Sequence, residues 1–345
     1  MTHKERFLAT IERKPVDRPS SWLGLPHHHS IPALLDHFKA ADLDHLRTIL
    51  DDDIFPVEMP YHSPTADAIY AAFPFAKKGD YNPDHRTLNS PGFFENIDDL
   101  SMVDKFDWPD PSKYIDREEC KRICKTAPKD MAVAGIIWSA HFQDVLAAFG
   151  MENALVQMLV APEMFKAVIK RIVDFYLTAN EIFFESTKGY LDAVLIGNDF
   201  GAQTGLIVSP ESVREFAIPG ARQFVEQAHS YGLKVIHHSC GSIYEIIPDL
   251  IEIGVDAIHP IQALAANMDA GILKEKFGDK VSFVGGIDVQ YLLVNGNPEE
   301  IRRRVWELKQ MFPTGLVFSP SHEAILPDIP PANIEILFNA INSRS

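Results

Sequence analysis

The chain has 345 residues, of which 46% are apolar and 23% charged, and its formal net charge is −16. Such an acidic protein repels phosphate backbones and anionic lipid, which argues against nucleic acid or a membrane as a partner. The sequence shows no apolar run of the ~18 residues that a membrane-spanning helix needs, and no apolar signal-peptide region near its start. Its three cysteines do not suggest a disulfide framework, so we expect a cytoplasmic protein.

Eight short apolar runs predict β-strands. Most are unbroken rather than alternating, which is typical of parallel strands that are covered on both faces. The runs cover residues 19–25, 54–59, 132–138, 193–199, 234–238, 257–260, 282–287 and 316–319.

Helical patterns lie between most of these strands. Residues 162–186 have apolar side chains at helical spacing, and Ser209 followed by Pro210 predicts the start of a helix that runs toward His229. Further helices are predicted at 244–253, after Asn297 and after Pro331. Length alone also fits two domains, but strand–helix alternation repeated eight times favours a single α/β domain over 1–345, a closed (β/α)8 TIM barrel.

One segment departs from this alternation. Residues 61–130 are rich in Pro, Gly, Asp and aromatic residues, which indicates a long insertion after the second strand. Long insertions at barrel mouths often cover the active site, so we expect this segment to serve as a lid.

Polar side chains follow the predicted strands at their C-terminal ends, where barrels of this class carry their chemistry. These residues are Glu58, Trp138, Asp199, His238, Cys240, His259, Asp288 and His322.

The His238-Ser-Cys240 motif is the strongest local signal. Residues two apart on an extended strand point the same way, so the imidazole and the thiol can approach one ion. This pair suits Zn²⁺, although a buried cysteine beside a core histidine is the plainer alternative. A third ligand could come from His322, His259 or Glu323, and three ligands with an open position would mark a catalytic site that activates a bound thiol.

Two aspartates are candidates for catalysis. Asp199 follows the fourth strand and could orient substrate or move a proton, or could equally bind loop N–H groups. Asp288 follows Gly285 and Gly286, which permit close approach of a ligand to the backbone. We expect both to place substrate.

Other side chains are predicted to contact a small-molecule substrate at the barrel mouth. The three consecutive histidines 27–29 follow the first strand and should not all face one metal, so only a substrate contact is expected there. The predicted contacts are His28, Glu58, Trp138, Gln203, His259 and Glu323.

These residues resemble the superfamily of uroporphyrinogen decarboxylase and the related cobalamin-dependent methyltransferases. The resemblance covers almost the whole chain and is carried by residues 4–19, 209–216, 231–242, 285–288 and 326–334. It implies a distorted β/α barrel with its cleft at the C-terminal ends of the strands, and a homodimer as in the decarboxylase.

The resemblance implies two competing activities. Decarboxylases bind a polyanionic porphyrinogen, without metal, through an Arg-rich segment after the first strand, but residues 23–30 contain no arginine here. The methyltransferases use His-x-Cys and a later cysteine as zinc ligands. This chain has His238 and Cys240, and His322 stands where those enzymes have the second cysteine.

The first hypothesis is therefore a zinc-dependent methyltransferase-like enzyme with His238, Cys240 and His322 as ligands. It would move a methyl group between a corrinoid, free or on a partner protein, and a thiol or other small acceptor. A tetrapyrrole carboxy-lyase is the alternative, and a non-catalytic corrinoid- or metal-binding protein is the third.

Overall fold

The computed structural model describes residues 1–75 and 89–343. Its eight strands are β1 Ser20–Ser21, β2 Ile54–Glu58, β3 Ala132–Trp138, β4 Ala193–Gly197, β5 Lys234–His238, β6 Ala257–Ile261, β7 Ser282–Ile287 and β8 Leu316–Pro320. The α-helices are His3–Ile11, Ile31–Phe38, Leu43–Leu50, Ser101–Lys105, Arg117–Lys125, His141–Phe149, Met151–Val160, Pro162–Ser186, Pro210–Ser212, Ile218–Ser230, Ile247–Glu252, Ala270–Phe277, Leu292–Asn295, Pro298–Met311 and Pro331–Asn342.

The strands form one parallel sheet in the order β1-β8-β7-β6-β5-β4-β3-β2, nearly closed into a barrel. This confirms the predicted (β/α)8 fold, and the strand bounds agree with the predicted ones to within two residues except at β1. The prediction extended β1 to residue 25, but the Leu23 N–H donates to the Asp52 carboxylate (3.0 Å) instead of to a strand. The ladder of β1 therefore ends early.

Side chains and single backbone contacts join β1 to β2 where the barrel closes. The Asp53 N–H donates to the Ser21 carbonyl (3.2 Å), and the Ser21 N–H donates back to the Asp53 carboxylate (2.9 Å). Buried Asp53 in turn accepts hydrogen bonds from Arg6 (2.7 Å) and Arg18 (3.0 Å), so its charge is paired. Ionic contacts thus take the place of a regular ladder at this seam.

The helix His3–Ile11 closes the N-terminal end of the barrel. Its Phe7 and Ile11 side chains are buried in the same cluster as strand residues from the barrel interior, such as Leu195 and Val317. The hydroxyl of Ser282, the first residue of β7, donates to the Ile11 carbonyl (2.8 Å). This helix therefore covers the end of the barrel opposite to the strand ends that carry the predicted site residues.

The predicted helix starts are confirmed where the capping side chains identify them. The Ser209 hydroxyl accepts the Ser212 N–H, and the helical segment continues through a π-helical turn at Val213–Ala217 into Ile218–Ser230. Asn297 forms a capping box with Glu300.

The described part of the segment at 61–130 contains two short α-helices and an aromatic cluster. Phe73 and Phe75 stack at 5.2 Å between ring centroids, and Phe73 also meets Phe175 of the long helix Pro162–Ser186 at 4.7 Å. This contact attaches the described part of the insertion to the barrel wall. Residues 76–88 of the predicted insertion lie outside the described residues, and the lid remains a prediction.

Across 1–75 and 89–343, the structure contains no helix long and apolar enough to cross a membrane.

Candidate metal centre and active site

The C-terminal ends of β4, β5 and β8 bring three predicted site residues together. His238 is the last residue of β5, Asp199 lies two residues beyond β4, and Glu323 lies three residues beyond β8. The Nε2 atom of His238 is 3.4 Å from an Asp199 carboxylate oxygen and 3.7 Å from a Glu323 oxygen. Cys240 completes the set, with Sγ 3.5 Å from the same Nε2.

These donor atoms form two groups that share Cys240. One group is Asp199, His238 and Cys240, and the other is Cys240, His322 and Glu323; within each, the ligand atoms lie within 4.8 Å of one another. The predicted trio of His238, Cys240 and His322 is therefore divided between the two groups.

The spacing of the first group suits a tetrahedral ion. Zn–N, Zn–O and Zn–S bonds of about 2.0–2.3 Å at tetrahedral angles separate neighbouring ligand atoms by about 3.3–3.6 Å. The distances of 3.4 Å and 3.5 Å from His238 Nε2 to Asp199 and Cys240 fall in that range. In addition, the buried Oε2 atom of Glu323 has no hydrogen-bond partner among the described residues. The residues present therefore fit a zinc ion.

The ring of His322 takes part in a backbone hydrogen bond. Its Nδ1 accepts the Ala324 N–H at 3.0 Å, so a neutral ring carries its proton on Nε2. In this orientation the lone pair on Nδ1 is used by the Ala324 N–H, and Nε2 carries a proton. The ring can bind a metal only after it releases the Ala324 N–H.

Asp199 is held as a carboxylate by three neighbours. Burial alone would raise its pKa, but the hydrogen bond and charge of His238 and the Cys240 N–H (2.9 Å) outweigh burial and lower the pKa to about 2. The Gln143 amide donates to its second oxygen at 3.0 Å. Asp199 is thus ionised at neutral pH and fixed in place.

Contacts within the cluster also shift the pKa values of His238, Cys240 and His322. Burial would lower the pKa of His238, but Asp199, Cys240 and Glu323 raise it well above its usual range. Burial would raise the pKa of Cys240, but hydrogen bonds with His238 and His322 lower it overall. The hydrogen bond with Cys240 is also the main cause of the raised pKa of His322. The cluster therefore favours a thiolate.

His259 lies behind His238 rather than at the cavity. It is fully buried, burial lowers its pKa well below 6.5, and its Nδ1 is 2.8 Å from Nδ1 of His238. A neutral His259 that accepts this hydrogen bond holds one proton of His238 on Nδ1, so Nε2, once it releases its own proton, is the nitrogen that would face a metal. The structure thus places His259 against His238, and its predicted substrate contact stays a prediction.

A glycine in β4 makes room for His238. A Cβ atom on Gly197 would lie 2.9 Å from the Cβ of His238 and 3.2 Å from its carbonyl oxygen. Only glycine lets β4 and β5 approach this closely at the point where His238 turns into the barrel mouth.

A cavity of about 610 Å³ opens beside the cluster. It reaches His238, Asp199 and Glu323, and its wall includes the predicted substrate contacts Glu58 and Trp138. Its size suits a small organic molecule.

Asp144 is a cavity residue that the sequence analysis missed. It lies in the first turn of the helix His141–Phe149, just after β3, and accepts a hydrogen bond from the Tyr176 hydroxyl at 2.6 Å. Burial raises its pKa to about 7. Its position after a barrel strand was the available signal, but it stands six residues beyond the end of β3, inside a helix rather than at the strand end.

Three other predicted residues lie away from the cavity lining. Both carboxylate oxygens of Asp288 accept backbone N–H groups of residues 290–292, at 2.8–3.0 Å, so Asp288 caps a short helix rather than facing substrate. Gln203 is exposed on its loop. His28 is exposed and packs against its two neighbours. This placement does not support the catalytic role expected for Asp288, which stays a prediction.

The arrangement of histidines 27–29 contradicts the expectation that they should not all face one metal. Their rings converge, with centroids 4.0–5.1 Å apart, and one nitrogen from each lies within 4.8 Å of the others. The turn that forms here, in which the His29 N–H donates to Nδ1 of His27 (3.2 Å), brings together side chains that an extended strand would separate.

The fold and the site together define a β/α-barrel protein with a ligand cavity and a soft donor cluster at the open end of the barrel. A family model described as uroporphyrinogen decarboxylase (URO-D) matches residues 85–344. The chain belongs to this family.

Curated relatives include two kinds of enzyme. A uroporphyrinogen decarboxylase of Chlorobaculum parvum is 25% identical over 199 residues, which cover 56% of this chain and 53% of the relative. A methylated-thiol–coenzyme M methyltransferase of Methanosarcina mazei is 26% identical over 158 residues, which cover 46% of this chain and 40% of the relative. The chain thus spans about half or less of the length of the relatives it matches.

A solved methyltransferase from Methanosarcina mazei has the same fold. Its TM-score is 0.73 at 18% identity, and the match covers 99% of this chain and 98% of that one. The likeness therefore extends across the whole barrel.

Proposed function

We propose that this protein is a zinc-dependent methyltransferase that moves a methyl group between a corrinoid and a thiol or another small acceptor. The observation that carries the proposal is the spacing of His238 Nε2, Cys240 Sγ and the Asp199 oxygen, which matches that of tetrahedral zinc ligands. A structural role for zinc is less suited to this place, because the cluster borders a cavity at the catalytic end of the barrel.

His238 and Cys240 would hold the metal, with an oxygen of Asp199 or Glu323, or His322 after release of Ala324, as the third ligand. Zinc in such a site lowers the pKa of a thiol that approaches it, which supplies a nucleophile at neutral pH. His259 keeps the proton of His238 on the side away from the metal, and Gln143 holds Asp199 in place. The corrinoid would be free or carried by a partner protein.

The decarboxylase alternative is electrostatically disfavoured. Four carboxylates, those of Glu58, Asp144, Asp199 and Glu323, border the cavity, and its lining, taken over the described residues, contains no lysine or arginine. A polyanionic tetrapyrrole would meet net repulsion there.

Metal content is the first test. We expect about one zinc per chain in the purified protein, measured by mass spectrometry, and its loss in a His238→Ala/Cys240→Ala double variant. Cys124→Ala, a change at a buried cysteine away from the site, is the matched control and should retain zinc. Separate His322→Ala and Glu323→Gln variants identify the third ligand by which one releases zinc more readily to a chelator.

Activity separates the alternatives. We expect demethylation of methylcobalamin in the presence of a thiol, followed by the change in its visible spectrum, and no decarboxylation of uroporphyrinogen. Metal-free protein that decarboxylates uroporphyrinogen would overturn the proposal. A corrinoid spectral shift without turnover would identify a binding protein instead.

A further inference from the structure

The cavity beside the donor cluster has two contrasting kinds of wall. Aromatic rings form one part, contributed by Tyr70, Phe73, Phe75 and Trp138. Carboxylates form another, including Glu58 and Asp144, which belong to the barrel rather than to the donor cluster.

Among the described residues, no lysine, arginine or histidine forms an ion pair with either of these two carboxylates. The side-chain hydrogen bond that Asp144 accepts comes from the neutral Tyr176 hydroxyl, and burial raises the pKa of Asp144 to about 7. Burial is also the sole cause of the raised pKa of Glu58. Asp144 is half-buried and Glu58 is exposed toward the cavity, so a ligand that carries positive charge can pair with both carboxylates there.

The backbone is strained where it directs Trp138 toward the cavity. Trp138 and the next residue, Ser139, both adopt left-handed conformations, with φ of 50° and 54°, and the ladder between β3 and β4 is irregular between Ile136 and Trp138. Such strain is uncommon for an aromatic residue and is concentrated at functional sites. The Trp138 ring stands at 86° to the His238 ring with centroids 5.7 Å apart, so the aromatic wall adjoins the donor cluster.

From this arrangement we infer that the cavity binds a small methylated ammonium compound as the methyl-carrying substrate. Aromatic faces attract such a cation through their quadrupoles, and its methyl groups need an apolar surface while its charge needs nearby carboxylates. A cavity of about 610 Å³ accommodates a molecule of this size.

This inference rests on the proposed function and names the substrate class of the same site. In the transfer, the C–N bond breaks and its electron pair stays on nitrogen, which leaves as a neutral tertiary amine. The methyl group bonds to the electron pair of a Co(I) corrinoid, the co-reactant, and no further oxidant or reductant is consumed.

The test compares choline with 3,3-dimethylbutan-1-ol, in which carbon replaces the charged nitrogen and the shape is kept. We expect calorimetry on the full chain at pH 8 to show choline binding at least about tenfold tighter than its neutral isostere. Tetramethylammonium should compete with choline.

Variants locate the binding. Glu58→Gln and Asp144→Asn should each weaken choline binding several-fold and leave the weak binding of the isostere unchanged, whereas the exposed Glu163→Gln should change neither. Trp138→Leu should reduce the preference for the cation. Thermal melts check that each variant is folded.

Metal content and thiol-dependent methylcobalamin turnover are measured on the same samples, so the two proposals fail separately. If zinc and turnover are present but choline binds no tighter than its isostere, the cation inference is overturned while the methyltransferase proposal stands. If the preference for choline is present and depends on Glu58 and Asp144 in a protein without zinc or turnover, the cation site stands and the methyltransferase proposal fails.

Discussion

The Nδ1 atoms of His238 and His259 lie 2.8 Å apart in the barrel, where the His238 N–H donates a hydrogen bond to His259. Burial keeps His259 neutral, and its own Nε2 has no hydrogen-bond partner among the described residues. Because His259 stays neutral inside the barrel, it fixes the orientation of the His238 ring and keeps a proton on its Nδ1.

Replacing His259 should weaken metal binding without removing a ligand. His259→Phe deletes the acceptor for the His238 proton, and loss of such a supporting hydrogen bond typically reduces metal affinity about 10- to 100-fold. His259→Gln keeps a side-chain acceptor and should lose less. Competition with a chromogenic chelator measures both affinities, and equal affinities for wild type and His259→Phe would show that the contact does not orient the ligand.

The Gly197→Ala variant should disturb the same histidine from the β4 side. Its new Cβ would lie 2.9 Å from the Cβ of His238, and both atoms are close to backbone that cannot rotate away. We expect a loss of about 1–3 kcal/mol in the free energy of unfolding and weaker zinc binding. Urea denaturation and metal analysis measure these two effects.

The matched control for that change is Gly205→Ala. A Cβ at Gly205 would meet no atom within 4 Å, so stability and zinc content should stay close to wild type. Similar losses at both positions would indicate a general sensitivity to glycine replacement rather than crowding at His238.

The sequence allowed the barrel to be predicted because each buried strand is a short apolar run with its own boundaries. The same reasoning placed Asp199, His238 and Cys240 at strand ends, where the structure brings them together. It did not reveal the roles of His259 and Asp288, because position at a strand end does not show whether a side chain meets the cavity, a neighbouring ring or a backbone N–H. The aromatic wall also depends on how residues 61–75 fold back, which no local pattern specifies.

Asp144 should make stability depend on pH. Its pKa rises from 3.8 to about 7 in the folded protein, chiefly because it is buried, although the hydrogen bond from Tyr176 opposes the rise. Between these two pKa values the folded state binds more protons than the unfolded state, so stability is highest below the lower value and falls as pH rises toward about 7.

The Asp144→Asn variant removes this dependence and keeps an acceptor for Tyr176. We expect it to match wild type at pH 4 and to exceed it by about 1–2 kcal/mol in the free energy of unfolding at pH 8. Urea denaturation of both proteins across this range gives the difference. Parallel profiles for the two proteins would mean that Asp144 titrates normally in the folded state.

The buried Arg47–Asp52 pair should be the most sensitive contact at the barrel seam. Arg47 is 2% exposed and Asp52 is 0% exposed, and their charged groups lie 2.9 Å apart. The Asp52 carboxylate also accepts the Leu23 N–H. Arg47→Met leaves a buried carboxylate whose pKa burial already raises to about 6 even with Arg47 present. We expect a loss of about 3–5 kcal/mol, and the double variant with Asp52→Asn should recover part of it.

An exposed ion pair provides the comparison for that prediction. Lys170 and Asp174 are 2.6 Å apart on the surface of a helix, with side chains 73% and 46% exposed. Lys170→Met should cost less than about 0.5 kcal/mol, because water already solvates both charges. Equal losses for Arg47→Met and Lys170→Met in urea denaturation would contradict the prediction. They would show that burial does not make the Arg47–Asp52 pair more important than an exposed pair.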